Sequence, residues 1–599
     1  MRDIAIWIVE AATSLGRTAA LVTDRLPEAD GSTNLVVAPH EFYVLRSDGE
    51  TAIRMAAECS TPVCTEQPGT PWFLLSLGFC VGSALVVDIN ATAVRAIERE
   101  GFNAYRLVLG GVPAMDRSVA GVERDVDVLF LGGKTDRRSA ALATLAPLLW
   151  NRHADLRLFS FSQPITGAEP GVVFGTDKYE LLARSKVLVN LHRADDDGYF
   201  EWARMVEAMA NRCAVITEPS VGHAPLEASE HFVEAQLDDL PARLIELLDD
   251  DRQRNALVDR AHEAVMSTLA LDSSVKQMLE QIELLGAPSA RRSRWRPSRS
   301  IVRTHSHPLL AEFCPHVELR RRLYQQLLSE TSHRRKLERM RCLLEHGTDD
   351  HVERFETPAF ANARPTVSVI VTLYNYAHVV VDALDSIVAS SEVDLEVIVI
   401  DDHSTDSGRS VVQAFMNENL SVPILLLASD LNRGLSRSRN LAIEATRTDK
   451  VMIMDADNLV YPTCLQRLSR ALDDDPFASF AYATLEAFGA DSGLRSERGW
   501  FVPWLCEANY IDAQAMLRRS TWERHGGYDH DMILGWEDWD LWLRLAQAGE
   551  HGVHISQMLG RYRTQDSSMI STTNLFAADL RAGLVERYPT LPWPERTDS

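Results

Sequence analysis

No run of about 18 uncharged apolar residues, the length a helix needs to cross a bilayer, occurs in this 599-residue chain. The nearest candidate, residues 71–90, is interrupted by Gly78, Gly82 and other small residues and reads as buried core. Cysteine is scarce. Eight are scattered, and only Cys59 and Cys64 lie close together. That spacing supplies neither a disulfide framework nor a zinc site, and it points to a reducing, cytoplasmic setting. Positive charge is in deficit as well. The formal net charge of −24 argues against neutralising the phosphates of nucleic acid, so no nucleic-acid partner is expected. No internal repeat with a period of about 20–50 residues is present. An acid stands as early as Asp3, so the short apolar run 4–9 is expected to form a first strand and not a signal peptide.

A chain of this length exceeds one hydrophobic core and is expected to form about two to four domains. Composition separates three regions. Residues 1–286 alternate apolar strand-like runs with helical patterns, divided near residue 120. Strands are expected at 126–133, 156–160, 187–191 and 214–217, and helices at 239–248 and 251–266. This alternation implies a mostly parallel α/β sheet. Residues 287–364 are a basic, breaker-rich linker with an expected helical part at 308–345. From Arg291 to Arg341 there are 14 Lys and Arg against four Glu. The linker reads either as a solvated tether or as a face for anionic lipid headgroups at the inner side of a membrane. Residues 365–599 form the third region, opened by Pro365 and a strand-like run through Thr372.

The third region carries the chemistry. The apolar run 397–400 ends in Asp401-Asp402, and the run 451–454 ends in Asp455-Ala456-Asp457. Continuous β-branched runs suggest strands buried on both faces, and open α/β sheets bind ligands at the carboxyl ends of their strands. An Asp-x-Asp on a tight loop offers hard oxygen ligands to a divalent cation, which in turn holds a diphosphate. The first strand ends in Thr372-Leu373-Tyr374-Asn375, where Thr372, Tyr374 and Asn375 offer small polar groups to a base or ribose. Asn432–Asn440 is a glycine turn entering a helix with Arg433, Arg437 and Arg439, and arginines suit diphosphate oxygens. Further on come Gly526-Gly527-Tyr528 and Trp536-Glu537-Asp538-Trp539.

In this order the motifs resemble the glycosyltransferase family 2 pattern, an inverting nucleotide-sugar transferase fold of the GT-A type, over about residues 365–569. The resemblance implies that Asp401 or Asp402 contacts the nucleotide of a UDP- or GDP-linked sugar. It implies that Asp455 and Asp457 flank Mn²⁺ or Mg²⁺, that Asp538 is the general base, and that Glu537 helps position the acceptor. Trp536, Trp539 and Trp542 read either as sugar platforms or as core, since Trp539 and Trp542 share one helical face. The family often ends in Tyr-Arg-x-His, whereas this chain has Tyr562-Arg563-Thr564-Gln565. That departure leaves a histidine contact to metal or phosphate without a candidate.

In the first region, Asn190-Leu191-His192-Arg193 and the run Phe200–Glu218 resemble the nucleotide-binding half of GT-B glycosyltransferases of the CgeB-like or group 1 type. The resemblance implies that Glu207 binds the ribose, with Arg193, Arg204 and the loop after Gly132-Gly133-Lys134 near the diphosphate. His40-Glu41 reads either as an acid/base pair or as a loop charge beside a satisfied histidine. The combined expectation is a GT-B-like module (1–120 and 121–286), a linker and a GT-A module (365–599), together adding sugars to a glycan or lipid-linked glycan acceptor. The alternatives are one active GT-A module with a docking module, a sugar-binding scaffold, or a nucleotidyltransferase. The last normally has a glycine-rich, lysine-containing loop near its first strand, and none follows Val371.

Overall fold

The structure is a computed structural model that describes residues 2–28, 31–44, 48, 50–68, 70–118, 121–159, 169–194, 198–285, 351–532, 535–565 and 577–594. The basic stretch at 291–341, with its expected helix and lipid contact, lies outside the described residues. No helix among those described is long and apolar enough to cross a membrane. Cys64, Cys80, Cys213, Cys464 and Cys506 are free thiols.

Two compact units form: Met1–Phe130 with Val173–Glu312, and Leu131–Val172 with Phe313–Ser599. This division differs from the linear one expected near residues 120 and 286. The segment Leu131–Val172 joins the second unit through specific contacts. Trp150 stacks on Tyr461 with ring centroids 6.3 Å apart, Thr463 Oγ1 donates to Trp150 O at 2.8 Å, and Ser556 Oγ donates to Asp155 Oδ1 at 2.7 Å.

In the first unit, β1 (Asn34–Val37), β2 (Ser60–Cys64), β3 (Val86–Asp88) and β4 (Ala104–Arg106) pair in parallel in that order. The strand β5 (Val126–Gly133) begins a second parallel set, and β6 (Ala154–Phe159) lies in the second unit. Next to β5 comes β7 (Ser185–Asn190), then β8 (Ala214–Thr217) and β9 (Val233–Glu234). The first element overturns an expectation. Arg2–Ser14 is a helix, because Ile4, Trp7, Ile8, Ala11 and Ala12 recur at helical spacing and are all buried. A strand would have put half of these apolar side chains in water.

The second unit is built on a ten-stranded sheet. Its strands are β10 (Val352–Glu356), β11 (Val367–Leu373), β12 (Leu395–Asp401), β13 (Ile424–Ser429), β14 (Lys450–Asp455), β15 (Leu459–Val460), β16 (Phe480–Gly489), β17 (Gly493–Arg495), β18 (Ala515–Arg518) and β19 (Gly552–Thr564). The order is β10-β13-β12-β11-β14-β18-β16-β19-β15, with β17 on β16. Strands β13, β12, β11 and β14 are parallel neighbours. Strand β10 precedes residue 365, yet it pairs antiparallel with β13 and closes that edge.

Alternation along β11 splits the core in two. Val367, Val369, Val371 and Leu373 pack with Leu384 and Leu468 on one face, and Ile370 packs with Ile443 and Trp542 on the other. All seven β11 residues are buried, which explains the uninterrupted apolar run. In register, Leu373 lies opposite Asp401 and Thr372 opposite Asp455. Two acidic strand ends therefore flank the end of β11.

Candidate active site

The end of β11 and the loop after β12 form one network. Asp401 is buried, its Oδ1 accepts from Ser404 N at 3.0 Å, and burial raises its pKa. Asn375, at φ +61°, accepts from Thr405 N at 2.7 Å and from Thr405 Oγ1 at 3.1 Å. Its side chain is thus committed to shaping the loop. Tyr374 is exposed. Asp402 accepts from Arg433 N at 2.6 Å and from Gly434 N at 2.9 Å. It pins the glycine turn before the helix Leu435–Glu444, where Gly434 sits at φ +87°, a conformation natural to glycine.

That helix connects the two halves of the site. Arg439 is 1% exposed. Its Nη2 donates to Asp455 Oδ1 at 2.9 Å, and its Nη1 donates to Glu537 Oε1 at 2.8 Å. Burial alone would lower its pKa, but Asp455 and Glu537 outweigh burial and raise it. The Tyr528 ring lies under the guanidinium, 5.3 Å from ring centroid to Cζ. The next residue, Asn440, donates to Tyr528 O at 2.8 Å and accepts from Tyr528 N at 2.9 Å. Gly527, at φ +72°, leaves no room for a Cβ, which would meet Trp522 Nε1 at 2.6 Å and Asn440 Oδ1 at 2.7 Å. The Gly526-Gly527-Tyr528 motif is therefore a clamp that seats the helix Leu435–Glu444. Arg437, two residues before Arg439, is exposed.

Thr372 Oγ1 also donates to Asp455 Oδ1, at 3.0 Å. Asp457 Oδ2 accepts from Gln565 Nε2 at 2.9 Å, so Gln565 reaches the acidic loop from the place where the family often has histidine. Arg563 donates through Nε to Asp457 O at 3.1 Å. Glu537 and Asp538 open the helix Glu537–Gln547, behind Trp536 at φ +63°. The helix start favours negative charge. Asp538 Oδ2 accepts from Asn509 Nδ2 at 3.0 Å, and Oδ1 accepts from Trp539 N at 2.7 Å. Trp539 and Trp542 are buried and donate to Leu505 O and Ile511 O. They are core, as their shared helical face allowed.

The pKa shifts share one sign. Burial first, then neighbouring acids, push Asp457 up to about 6, Asp512 to about 7 and Asp538 to about 6. Burial lifts Glu537 to about 7 against the pull of Arg439. Asp512 repels both Asp538 and Asp457, and sequence reading missed it. It stands in no acidic motif, so only the fold reveals it. The site holds more negative charge than Arg439 balances. Among the described residues no three His, Cys, Asp or Glu groups form a metal cage. Crowded carboxylates suit a cation held by one or two of them plus substrate phosphates.

The residues expected in the first unit are placed differently. Glu207 is 4% exposed and pairs with Lys178 Nζ at 2.6 Å. Lys178 also pairs with Asp3, at 2.7 Å. The carboxylate proposed for a ribose is thus engaged by a lysine, and the helix Arg2–Ser14 supplies Asp3. Arg204 donates to Asn190 Oδ1 at 2.6 Å and pairs with Glu201, while Arg193 is exposed. His40 bonds Ser76 Oγ at 2.8 Å and lies 3.4 Å from Glu66, so its partner is not Glu41. In the second unit, Lys134 pairs with the buried Glu497.

Two stretches of the chain match known families. Residues 368–534 match the family described as Glycosyl transferase family 2, and residues 150–280 match one described as Glycosyl transferase-like. The "Putative glycosyltransferase EpsE" of Bacillus subtilis is 24% identical over 226 residues, 36% of this chain and 80% of that protein. The "Succinoglycan biosynthesis protein ExoO" of Rhizobium meliloti is 35% identical over 109 residues, 18% of this chain and 30% of that protein. The crystal structure of S. aureus TarS 1–349 is 15% identical, covers 38% of this chain and 67% of that chain, and gives a TM-score of 0.31. Residues 368–534 therefore carry a glycosyl transferase family 2 domain, and the chain is a two-module glycosyltransferase enzyme.

Proposed function

We propose that the second unit transfers a sugar from a UDP- or GDP-linked donor to a glycan hydroxyl with inversion, assisted by Mn²⁺ or Mg²⁺. The observation that carries this reading is Arg439, which brings Asp455 and Glu537 to opposite ends of one guanidinium. The Asp-x-Asp loop and the Glu-Asp helix start thereby belong to one site. Asp538 takes the proton of the acceptor hydroxyl as that oxygen attacks opposite the leaving group. Asn509 and the Trp539 N–H orient the carboxylate. Asp401 faces the nucleotide, while Asp402 and Asn375 hold the loops around it. Asp455 and Asp457 would hold the cation. When bound, it supplies charge neutralisation on the departing nucleoside diphosphate.

The name of the relative ExoO mentions succinoglycan biosynthesis, which favours a polysaccharide or lipid-linked glycan as acceptor. For the first unit, one reading is a second sugar transfer at Glu207. The engagement of Glu207 by Lys178, which Asp3 also holds, favours the other, a module that docks the acceptor. The free thiols fit a cytoplasmic site of action. A donor screen on the full chain, with Asp457→Ala and Glu207→Ala side by side, tests both units. Sugar-dependent UDP or GDP release that survives Asp457→Ala overturns the reading of the second unit. A distinct activity lost only in Glu207→Ala overturns the docking reading. Pyrophosphate release in place of nucleoside diphosphate would mark a nucleotidyltransferase.

A further inference from the structure

Arg439 looked, by sequence, like a diphosphate ligand. Its surroundings point elsewhere. At 1% exposure it has almost no surface left for a substrate. Its two terminal nitrogens are spent on two different carboxylates, at 2.8 and 2.9 Å. The planar fork of arginine spans two acids in this way, and the single ammonium of lysine does not. One acid ends β14, and the other opens the helix Glu537–Gln547. Asn440, the next residue, grips the Tyr528 backbone from both sides. The Tyr528 ring faces the guanidinium.

We propose that Arg439 is a positioning residue that sets the separation between the donor end of the site, at Asp455, and the base end, at Glu537-Asp538, and that it does not bind the diphosphate. This rests on the reading of Asp538 as the base. Asp455 and Glu537 sit on elements far apart in sequence, and no main-chain pairing joins β14 to the helix Glu537–Gln547. The arginine makes the polar connection between them. If this strut is shortened, the acceptor oxygen and the sugar carbon meet at the wrong distance while each substrate still binds its own end.

The test uses the full chain with two variants. Arg439→Lys keeps the charge and loses the span. Arg439→Met/Glu537→Gln removes the strut together with one of its acids, so that fewer uncompensated buried carboxylates remain if the lysine variant fails to fold. Calorimetry with UDP plus Mn²⁺ and with GDP plus Mn²⁺ reports the donor end. Turnover with whichever UDP- or GDP-sugar releases nucleoside diphosphate reports the chemistry. The expected result is a kcat lower by about 100-fold in each variant, the scale of an ångström of misplacement, with nucleotide Kd changed by less than about threefold. A purely structural role would lower folded protein without splitting kcat from Kd. Nucleotide affinity weakened by about tenfold or more, the scale of a lost charge-assisted hydrogen bond, would make Arg439 a diphosphate ligand and overturn the proposal. Unchanged kcat in both variants would overturn it too. If Asp538→Asn keeps full turnover while Arg439→Lys does not, the base assignment fails and the strut stands.

Discussion

Both units bury a cation against carboxylates, but the balance differs. In the first, Lys178 sits between Asp3 and Glu207, and Glu207 is 4% exposed. In the second, Arg439 sits between Asp455 and Glu537 while Asp457, Asp512 and Asp538 crowd nearby with raised pKa values. Asp455 keeps 36% of its side chain exposed. A covered pair is a structural joint. Surplus acids around a partly exposed Asp455 are what the proposed cation and base would use.

The largest effect expected on this contrast comes from Asp538→Asn. It should cut turnover by about 10³-fold, within the range for a lost general base, while UDP–Mn²⁺ or GDP–Mn²⁺ binding by calorimetry holds. Wild-type turnover in that variant removes Asp538 from the role. Asp457→Ala comes next. Its nucleotide–Mn²⁺ affinity is expected to fall by roughly 10–100-fold, the usual cost of disturbing a metal ligand set, and chelation should mimic it in the wild type.

The first unit should respond in stability instead. Glu207→Ala leaves Lys178 with Asp3 alone and should cost about 1.5–3 kcal/mol, the scale of a hydrogen bond between charged groups, read by denaturant unfolding. Nucleoside diphosphate release by the second unit should stay within about twofold, since ordinary variation is of that order. A stable Glu207→Ala protein with one lost activity would reverse the contrast.

The smallest effect concerns pH. Asp457, Asp512, Glu537 and Asp538 have folded-state pKa values above their ordinary ones, so the metal-free protein holds protons more tightly than its unfolded chain. The stability that this protonation contributes is present at low pH and is lost as pH rises through about 6 to 7. Mn²⁺ competes with those protons and should raise Tm more at alkaline than at mildly acidic pH. Turnover runs the other way. With Asp538 as the proposed base, it should fall as pH drops through about 6. A Mn²⁺ shift of Tm independent of pH would separate the metal from this cluster.

Much of the second unit was legible because β11, β12 and β14 are buried on both faces and so read as unbroken apolar runs, with acids where the runs of β12 and β14 end. What failed to show was whatever depends on partners distant in the chain. Arg439 looked like its neighbour Arg437 until burial separated them. Asp512 carries no motif. The helix Arg2–Ser14 has a run short enough to pass for a strand, and only the burial of Ile4, Trp7, Ile8 and Ala11 settles its period. Glu207 matched its motif, but nothing near it in sequence announces Lys178 or Asp3.

The grouping of Leu131–Val172 with the later chain bears on how this enzyme can be cut. A fragment starting after residue 350 would carry every acid around Arg439 yet leave Tyr461, Thr463 and Ser556 facing water where Trp150 and Asp155 now sit. Chains cut between residues 285 and 351 should therefore yield two pieces that stay associated, since the first still owns part of the second's packing.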